Sequence, residues 1–298
     1  MLSASDPQQS ILKNPLAAAS GCCLFSCSDV VPAHAFPLSA AILLHFVRTM
    51  PTNGTISIWR LCPDALTASR RVAVQGLLSE EEARRGAAFH AEEDSCLYIV
   101  AHAALRIALG RLLNLSPASL EFTGENGVKP VLLGQSRTSP SLRFSLSHTR
   151  HAVLIATAFD CEVGIDIEHH RPIDDLESLA DGIMSPAERA VWAGLAPASR
   201  VAAFYRLWTR KEAYLKAIGL GLFRDLQAIT VPVTAHDLTE PALVDDRGEA
   251  LQSPHWHLCD LPVWDDFSAA LCWQAASPLS GQPQLEIRDL SVDDLMPT

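Results

Sequence analysis

Two carboxylates stand two residues apart in the stretch VGIDIE, residues 163–168. Its strict alternation predicts a β-strand that turns Val163, Ile165 and Ile167 toward a core and Gly164, Asp166 and Glu168 to the other face. Asp166 and Glu168 then share one edge, beside a glycine expected to leave room for a ligand. Two ionised carboxylates this close repel unless a cation lies between them. Hard oxygen donors suit Mg2+, which keeps several waters and shares phosphate oxygens with its substrate. About 40 residues on, FYRLWTRKEAYLKAIGLG (204–221) places Phe204, Leu207, Trp208, Leu215 and Ile218 at helical steps. Glu212 and Lys216, four apart, lie on one face of that helix. The chain has four lysines, and Lys211 and Lys216 are two of them. Taken singly, the carboxylates read as the solvated side of a strand, and Glu212–Lys216 as a surface pair stabilising by about 0.2–0.5 kcal/mol. Together they describe a place where a cation and a phosphorylated ligand could meet.

Positioning such groups needs a sizeable scaffold, and 298 residues can bury a substantial core. With 48% hydrophobic and 19% charged residues the composition is globular. A net charge of -11 argues against a nucleic-acid partner but not against a local basic pocket. Eight cysteines are scattered with no CxxC pair, as expected of reduced thiols in a cytoplasmic protein. The apolar run at 36–47 is interrupted by Pro37 and is too short to span a bilayer, and no basic segment of a signal peptide precedes it. No membrane partner is expected. Residues 1–54 lack sustained periodicity and are expected to be a disordered extension or a start assigned too far upstream, Met50 falling just before the globular pattern.

From residue 55, ISIWRL alternates as a strand. Ser79 with Glu82 forms a capping-box signature ahead of a helix, and a longer apolar helix spans about 92–113. LRFSLSHTRHAVLIATA (142–158) reads as a hairpin with Ser147 and His148 at its turn. Ser185 to Glu188 caps a further helix, residues 199–219 form the helix carrying Glu212, and strands are expected at 226–231 and 267–273. The segment after Ser277 reads as a fraying tail. A helix followed by a short strand and then HAVLIATA, and later a helix followed by LQAITV and FSAALCW, suggests two similar halves.

In order and spacing, VGIDIE, LWTRKEAYLKAIGLG, and the upstream FSLSH and GVKP resemble the 4'-phosphopantetheinyl transferases, specifically their pseudo-dimeric, surfactin-synthetase-activating type, over about residues 55–275. The resemblance implies an α+β fold in two halves, 55–160 and 161–276, with the active site in the cleft between them and a flexible tail over 277–298. It implies transfer of the phosphopantetheine arm of CoA to an apo acyl or peptidyl carrier protein, with 3',5'-ADP released. On the matching positions, Asp166, Glu168 and Glu212 would hold Mg2+, and Glu212 would be the candidate base. Lys216 would contact the pyrophosphate, Ser147 and His148 the CoA phosphates, and Lys129, Lys211 and Arg85 would complete the nucleotide-binding set. Two departures stand out: Ser145 where the family often has asparagine, and Ser95-Cys96-Leu97-Tyr98 where it commonly has basic residues. With both halves of the site in one chain, a monomer is expected. His169 and His170 read as loop residues, since Mg2+ prefers oxygen. Arg200, Arg206, Arg210 and Arg224 could meet an acidic carrier protein or simply be solvated. Two competing readings are another Mg2+-dependent phosphoryl-transfer enzyme and a non-catalytic CoA- and carrier-binding homologue.

Overall fold

The computed structural model describes residues 54–63, 68–123, 129–135, 140–219, 224–234, 242–243, 245–246, 256–274 and 283–296. The extension expected over 1–54 lies outside them apart from Gly54, as do Gly127, Val128 and Gly221.

The protein is α+β. Strand β1 (Thr55–Leu61) is followed by helices α1 (Ala68–Gln75), α2 (Glu80–Ala87) and the 22-residue α3 (Glu92–Leu113). The short strands β2 (Phe122–Thr123) and β3 (Val131–Leu132) then lead into the hairpin of β4 (Leu142–Thr149) and β5 (Ala152–Phe159). A second run repeats that order. Strand β6 (Val163–His169) precedes α4 (Leu176–Ile183), α5 (Pro186–Ala193) and the 22-residue α6 (Pro197–Ile218). Short strands β7 (Ile229–Thr230), β8 (Ala242–Leu243) and β9 (Asp245–Asp246) follow, then the antiparallel pair β10 (Trp256–Asp260) and β11 (Phe267–Gln274). β12 (Gln284–Leu290) comes last. The first sheet has the order β12-β1-β5-β4 and the second β6-β11-β10-β8.

Local chemistry sets the helix ends. Ser79 and Glu82 make the expected capping box at α2, and Ser185 and Glu188 make another at α5. Helix α6 starts on Pro197 and stops at Gly219, whose φ of 74° is the left-handed conformation glycine adopts without a Cβ penalty. Among the described residues α3 alone is long and apolar enough to cross a membrane by length and composition, but most of it is buried within the protein. It covers one face of the first sheet, packing on Trp59, Phe144, Val153 and Ile155. The opposite face, with Ile58, Leu154 and Ala156, meets Val163, Ile165, Ile167 and Leu271 of the second sheet. Helix α6 covers the far side of that sheet. The order of layers is therefore helix, sheet, sheet, helix.

Three expectations need correction. Ser147 and His148 lie inside β4, and the hairpin turns at Arg150 and His151, where His151 takes φ 61°. The segment 277–298 is not a fraying tail over its described part: β12 runs parallel to β1 in a seven-residue register from Gln284 to Leu290. Leu290, Val292 and Leu295 are buried in the core under α3. The acidic residues that make this segment look solvated pair with arginines of the first half, Asp289 with Arg60, Asp293 with Arg70 and Asp294 with Arg111. The last described strand thus returns to complete the N-terminal sheet.

Gly164 is the third correction. A Cβ there would lie 2.0 Å from the Ala213 carbonyl oxygen and 2.4 Å from the Ala217 amide nitrogen of α6. The missing side chain makes room for a helix, not for a ligand. Overpacking of this kind typically costs about 1–3 kcal/mol, and more when backbone must move. Gly164→Ala is expected to destabilise by about 3 kcal/mol or more, read as a fall in the urea midpoint, because both obstructing atoms belong to main chain.

Of the five described cysteines, Cys259 and Cys272 are buried and Cys62 is exposed.

Candidate active site

The end strands of the two sheets, β4 and β6, lie together without a main-chain ladder. Side-chain hydroxyls on β4 bridge them instead. The Ile165 N–H donates to Ser145 Oγ at 3.1 Å and the Ile167 N–H to Ser147 Oγ at 3.3 Å. Ser147 Oγ in turn donates to Asp166 Oδ1 at 2.8 Å, and Thr149 Oγ1 donates to Glu168 Oε2 at 3.3 Å. Ser145, which departs from the family pattern, thus supplies an acceptor for an end-strand amide that would otherwise be buried without one.

Helix α6 closes over this seam because Gly164 lets it approach. Lys216 Nζ reaches Asp166 Oδ1 at 2.6 Å and Ser147 Oγ at 3.0 Å. Asp166, Glu168 and Glu212 are all buried, exposed by only 0%, 2% and 3%. One oxygen of each (Asp166 Oδ2, Glu168 Oε1 and Glu212 Oε1) has no hydrogen-bond partner among the described residues. Burying a carboxylate penalises its charged form, and a neighbouring carboxylate adds to the penalty. The Glu212 carboxyl is accordingly raised to about 8 by burial first and then by Asp166, with Lys216 opposing. Glu168 is raised to about 8 by the same two causes in the same order.

These orphaned oxygens, three hard carboxyl donors in one buried patch, suit a divalent cation such as Mg2+, whose charge would favour their ionised forms. Their present spacing does not enclose an ion: among the described residues no three His, Cys, Asp or Glu side chains are gathered closely enough to hold one. The Lys216 ammonium serves instead as counter-ion to Asp166.

The raised carboxyls make stability depend on pH in a definite sense. A group whose folded pKa lies above its ordinary value near 4.5 stabilises fully below that value, and the benefit is lost as pH rises through about 8. Glu82 and Asp294, lowered to about 2, act oppositely, but only in the acid range. Metal-free protein is expected to lose on the order of 2–4 kcal/mol between pH 5.5 and 8.5. Glu168→Gln should flatten the profile of melting temperature against pH.

His148 is buried with its Nδ1 unpartnered, and its pKa is pushed down to about 3 by burial, then His102, then Lys216. It is therefore a neutral imidazole. The structure brings Ser147, Asp166, Glu168, Glu212 and Lys216 together, with His148 beside Ser147 on β4.

Other expected ligand residues are placed differently. Lys211 is wholly buried away from solvent, its ammonium donating to Glu188 Oε2 at 2.7 Å and to the carbonyls of Ile183, Leu226 and Ile229 at 2.6–2.8 Å. It holds α6 to α4, α5 and the segment at β7, and its ammonium is engaged there rather than turned to the Asp166 site. Lys129 Nζ bonds Glu162 Oε2 at 2.8 Å, Val163 O at 2.9 Å and Ala217 O at 3.2 Å, which engages all three ammonium donors. It ties the start of β6 to the C-terminal end of α6, where a cation also suits the helix dipole. Arg85 bonds Glu81 on its own helix at 2.8 Å. Nor do the arginines of α6 make a free basic patch: Arg200 pairs with Glu177, and Arg210, fully buried, grips Asp260 through two bonds of 2.8 Å. His170 is engaged by Ser268 at 2.8 Å.

Residues 162–272 match the model of the 4'-phosphopantetheinyl transferase superfamily. A Nostoc 4'-phosphopantetheinyl transferase, HetI, is 33% identical over 235 residues, covering 77% of this chain and 94% of that protein. The chain belongs to the 4'-phosphopantetheinyl transferase family. A Bacillus subtilis 4'-phosphopantetheinyl transferase is 26% identical over 219 residues, covering 72% of this chain and 88% of that one. The Salmonella typhimurium transferase AcpT is 40% identical over a shorter span of 114 residues, 38% of this chain and 56% of its own. The superfamily match holds β6 and α6, and with them every carboxylate of the site.

Thr149 is a site residue that the sequence does not single out, although it stands in the same stretch as Ser147 and His148. Its signal is three hydroxyl residues at steps of two, Ser145, Ser147 and Thr149, on one side of a strand. Glu188 is legible as a helix cap but not as the anion opposite Lys211.

Proposed function

We propose that this chain transfers the 4'-phosphopantetheine arm of CoA to a serine of an apo acyl or peptidyl carrier protein and releases 3',5'-ADP. The observation that carries the reading is the buried trio Asp166, Glu168 and Glu212, each with an unpartnered oxygen, beside Lys216, in a chain of this family. Asp166, Glu168 and Glu212 would hold Mg2+, which supplies charge neutralisation at the pyrophosphate. In the transfer, the serine oxygen bonds the phosphorus that carries the pantetheine arm, and the bond from that phosphorus to the oxygen of 3',5'-ADP breaks. The serine proton passes to Glu212, directly or through a water. Lys216, now on Asp166, would turn its charge to the pyrophosphate as the leaving group develops. Ser147 orients Asp166 and Lys216, and the neutral His148 offers a ring nitrogen rather than a positive charge.

The matching order of elements in the two runs of the chain supports a pseudo-dimer of two halves with the site at their seam, and a site built from one chain supports a monomer. Intact-mass spectrometry of an apo carrier protein incubated with this protein, CoA and Mg2+ tests the reading. A gain of one phosphopantetheine unit that disappears without metal is expected. Measurable CoA binding with no gain on several carriers would identify a non-catalytic homologue, and no CoA binding would sink the assignment.

A further inference from the structure

We propose that Thr149 is a positioning residue for the metal site, holding Glu168 so that one carboxylate oxygen is turned to the cation. The inference rests on the Mg2+ reading given above and on the geometry of the β4–β6 seam. The hydroxyls of β4 climb β6 in step: Ser145 takes the amide of Ile165, and Ser147, two residues on, takes the amide of Ile167. A third step would take the amide of His169. Thr149 instead donates to the Glu168 side chain, at Oε2. Two rungs of the ladder fix main chain, and the third fixes a candidate ligand.

The consequence lies in how Glu168 divides its two oxygens. Thr149 is 5% exposed and Glu168 2%, so water does not easily replace the bond. Oε2 is held by Thr149, while Oε1 is buried with no partner among the described residues. A hydroxyl 3.3 Å from one oxygen biases which way the carboxylate plane faces, and the other oxygen is left for the cation. Groups that orient a metal ligand in this way typically contribute about 10–100-fold to metal affinity. Ser147 does the same for Asp166 but also touches Lys216. Thr149 is the rung whose described hydrogen bond goes to a carboxylate alone.

The test is a calorimetric Mg2+ titration with CoA present and no carrier protein, on the parent, Thr149→Val, Thr149→Ser and Ser145→Ala. Valine keeps the shape and removes the hydroxyl, and serine restores it. Ser145→Ala removes a neighbouring rung that touches no carboxylate, so it reports what loosening the seam does by itself. Thr149→Val is expected to weaken Mg2+ about 10-fold or more, with Thr149→Ser within about threefold of the parent and Ser145→Ala unchanged in Mg2+ affinity. Parent-like affinity in Thr149→Val overturns the proposal, as does an equal loss in Ser145→Ala or no rescue by serine. A parent that binds CoA but no Mg2+ overturns the metal reading itself, and this inference with it. Thermal melts of each variant without metal show whether it is folded. Should Thr149→Val not fold, the same titration of Thr149→Ser against Thr149→Ala decides.

Discussion

Glu212→Gln is expected to lower transfer by on the order of 10²–10³-fold or more while the protein stays at least as stable as the parent at pH 8. The two halves of that expectation have one cause. Glu212 is 3% exposed, its Oε1 has no partner among the described residues, and its pKa is raised to about 8 by burial and by Asp166. Such a group contributes nothing to the fold that a neutral amide of the same shape would not, and at pH 8 its partial charge is a cost. Buried ionisable groups of this kind gather where chemistry needs them. Glutamine keeps the volume but can neither accept the serine proton nor neutralise a cation. Single-turnover transfer with Mg2+ and CoA, and a thermal melt of the metal-free protein at the same pH, read the two halves. A melting temperature that falls by several degrees would make Glu212 a structural residue. Retained transfer would remove it from the chemistry.

The site is more legible in the sequence than the scaffold that serves it, and the residues show why. Asp166, Glu168, Glu212 and Lys216 declare themselves because strand and helix periods put each pair on one face, and the structure brings them together as those periods require. Lys211 misleads because it is one residue from Glu212 in a run of charges, yet consecutive helix positions point about 100° apart. That turn sends Lys211 toward Glu188 and the outer helices, whereas Glu212 faces Asp166. No local pattern reveals a partner 23 residues away. Gly164 misleads in a similar way: a missing Cβ signals a close approach but not what approaches. The segment at 284–290 resembles a tail because an end strand half in water is polar, and because the arginines that balance its acids lie far upstream, 229 residues before Asp289 for Arg60 and 183 before Asp294 for Arg111. Helix ends, by contrast, are written within four residues, and both capping boxes stand where the sequence puts them.

Lys211→Met carries the largest stability effect, because the lysine that looks like a ligand is a buried anchor. Its ammonium is fully buried against a Glu188 carboxylate whose side chain is 1% exposed. Burial pulls the lysine pKa down and Glu188 pulls it back up. Glu188 also accepts from the amides of Ser185 and Val231, at 2.7 and 2.8 Å, so it is fixed in place beside the lysine. Removing the lysine leaves the carboxylate charge uncompensated and strips the donor from three main-chain carbonyls. Breaking a buried pair from one side typically costs about 3–5 kcal/mol, and Lys211→Met should fall in or above that range in urea unfolding. The double variant Lys211→Met with Glu188→Gln is expected to recover part of the loss, because the stranded charge goes with the lysine. Lys211→Arg should not restore it, since a planar guanidinium cannot meet four acceptors arranged around an ammonium. CoA affinity separates the two roles a lysine could have here. If Lys211 only anchors α6, the folded fraction of Lys211→Met binds CoA within about twofold of the parent, whereas loss of a charged phosphate contact would weaken binding by roughly tenfold or more. The second result would return Lys211 to the ligand and require its carbonyl cage to open when CoA binds.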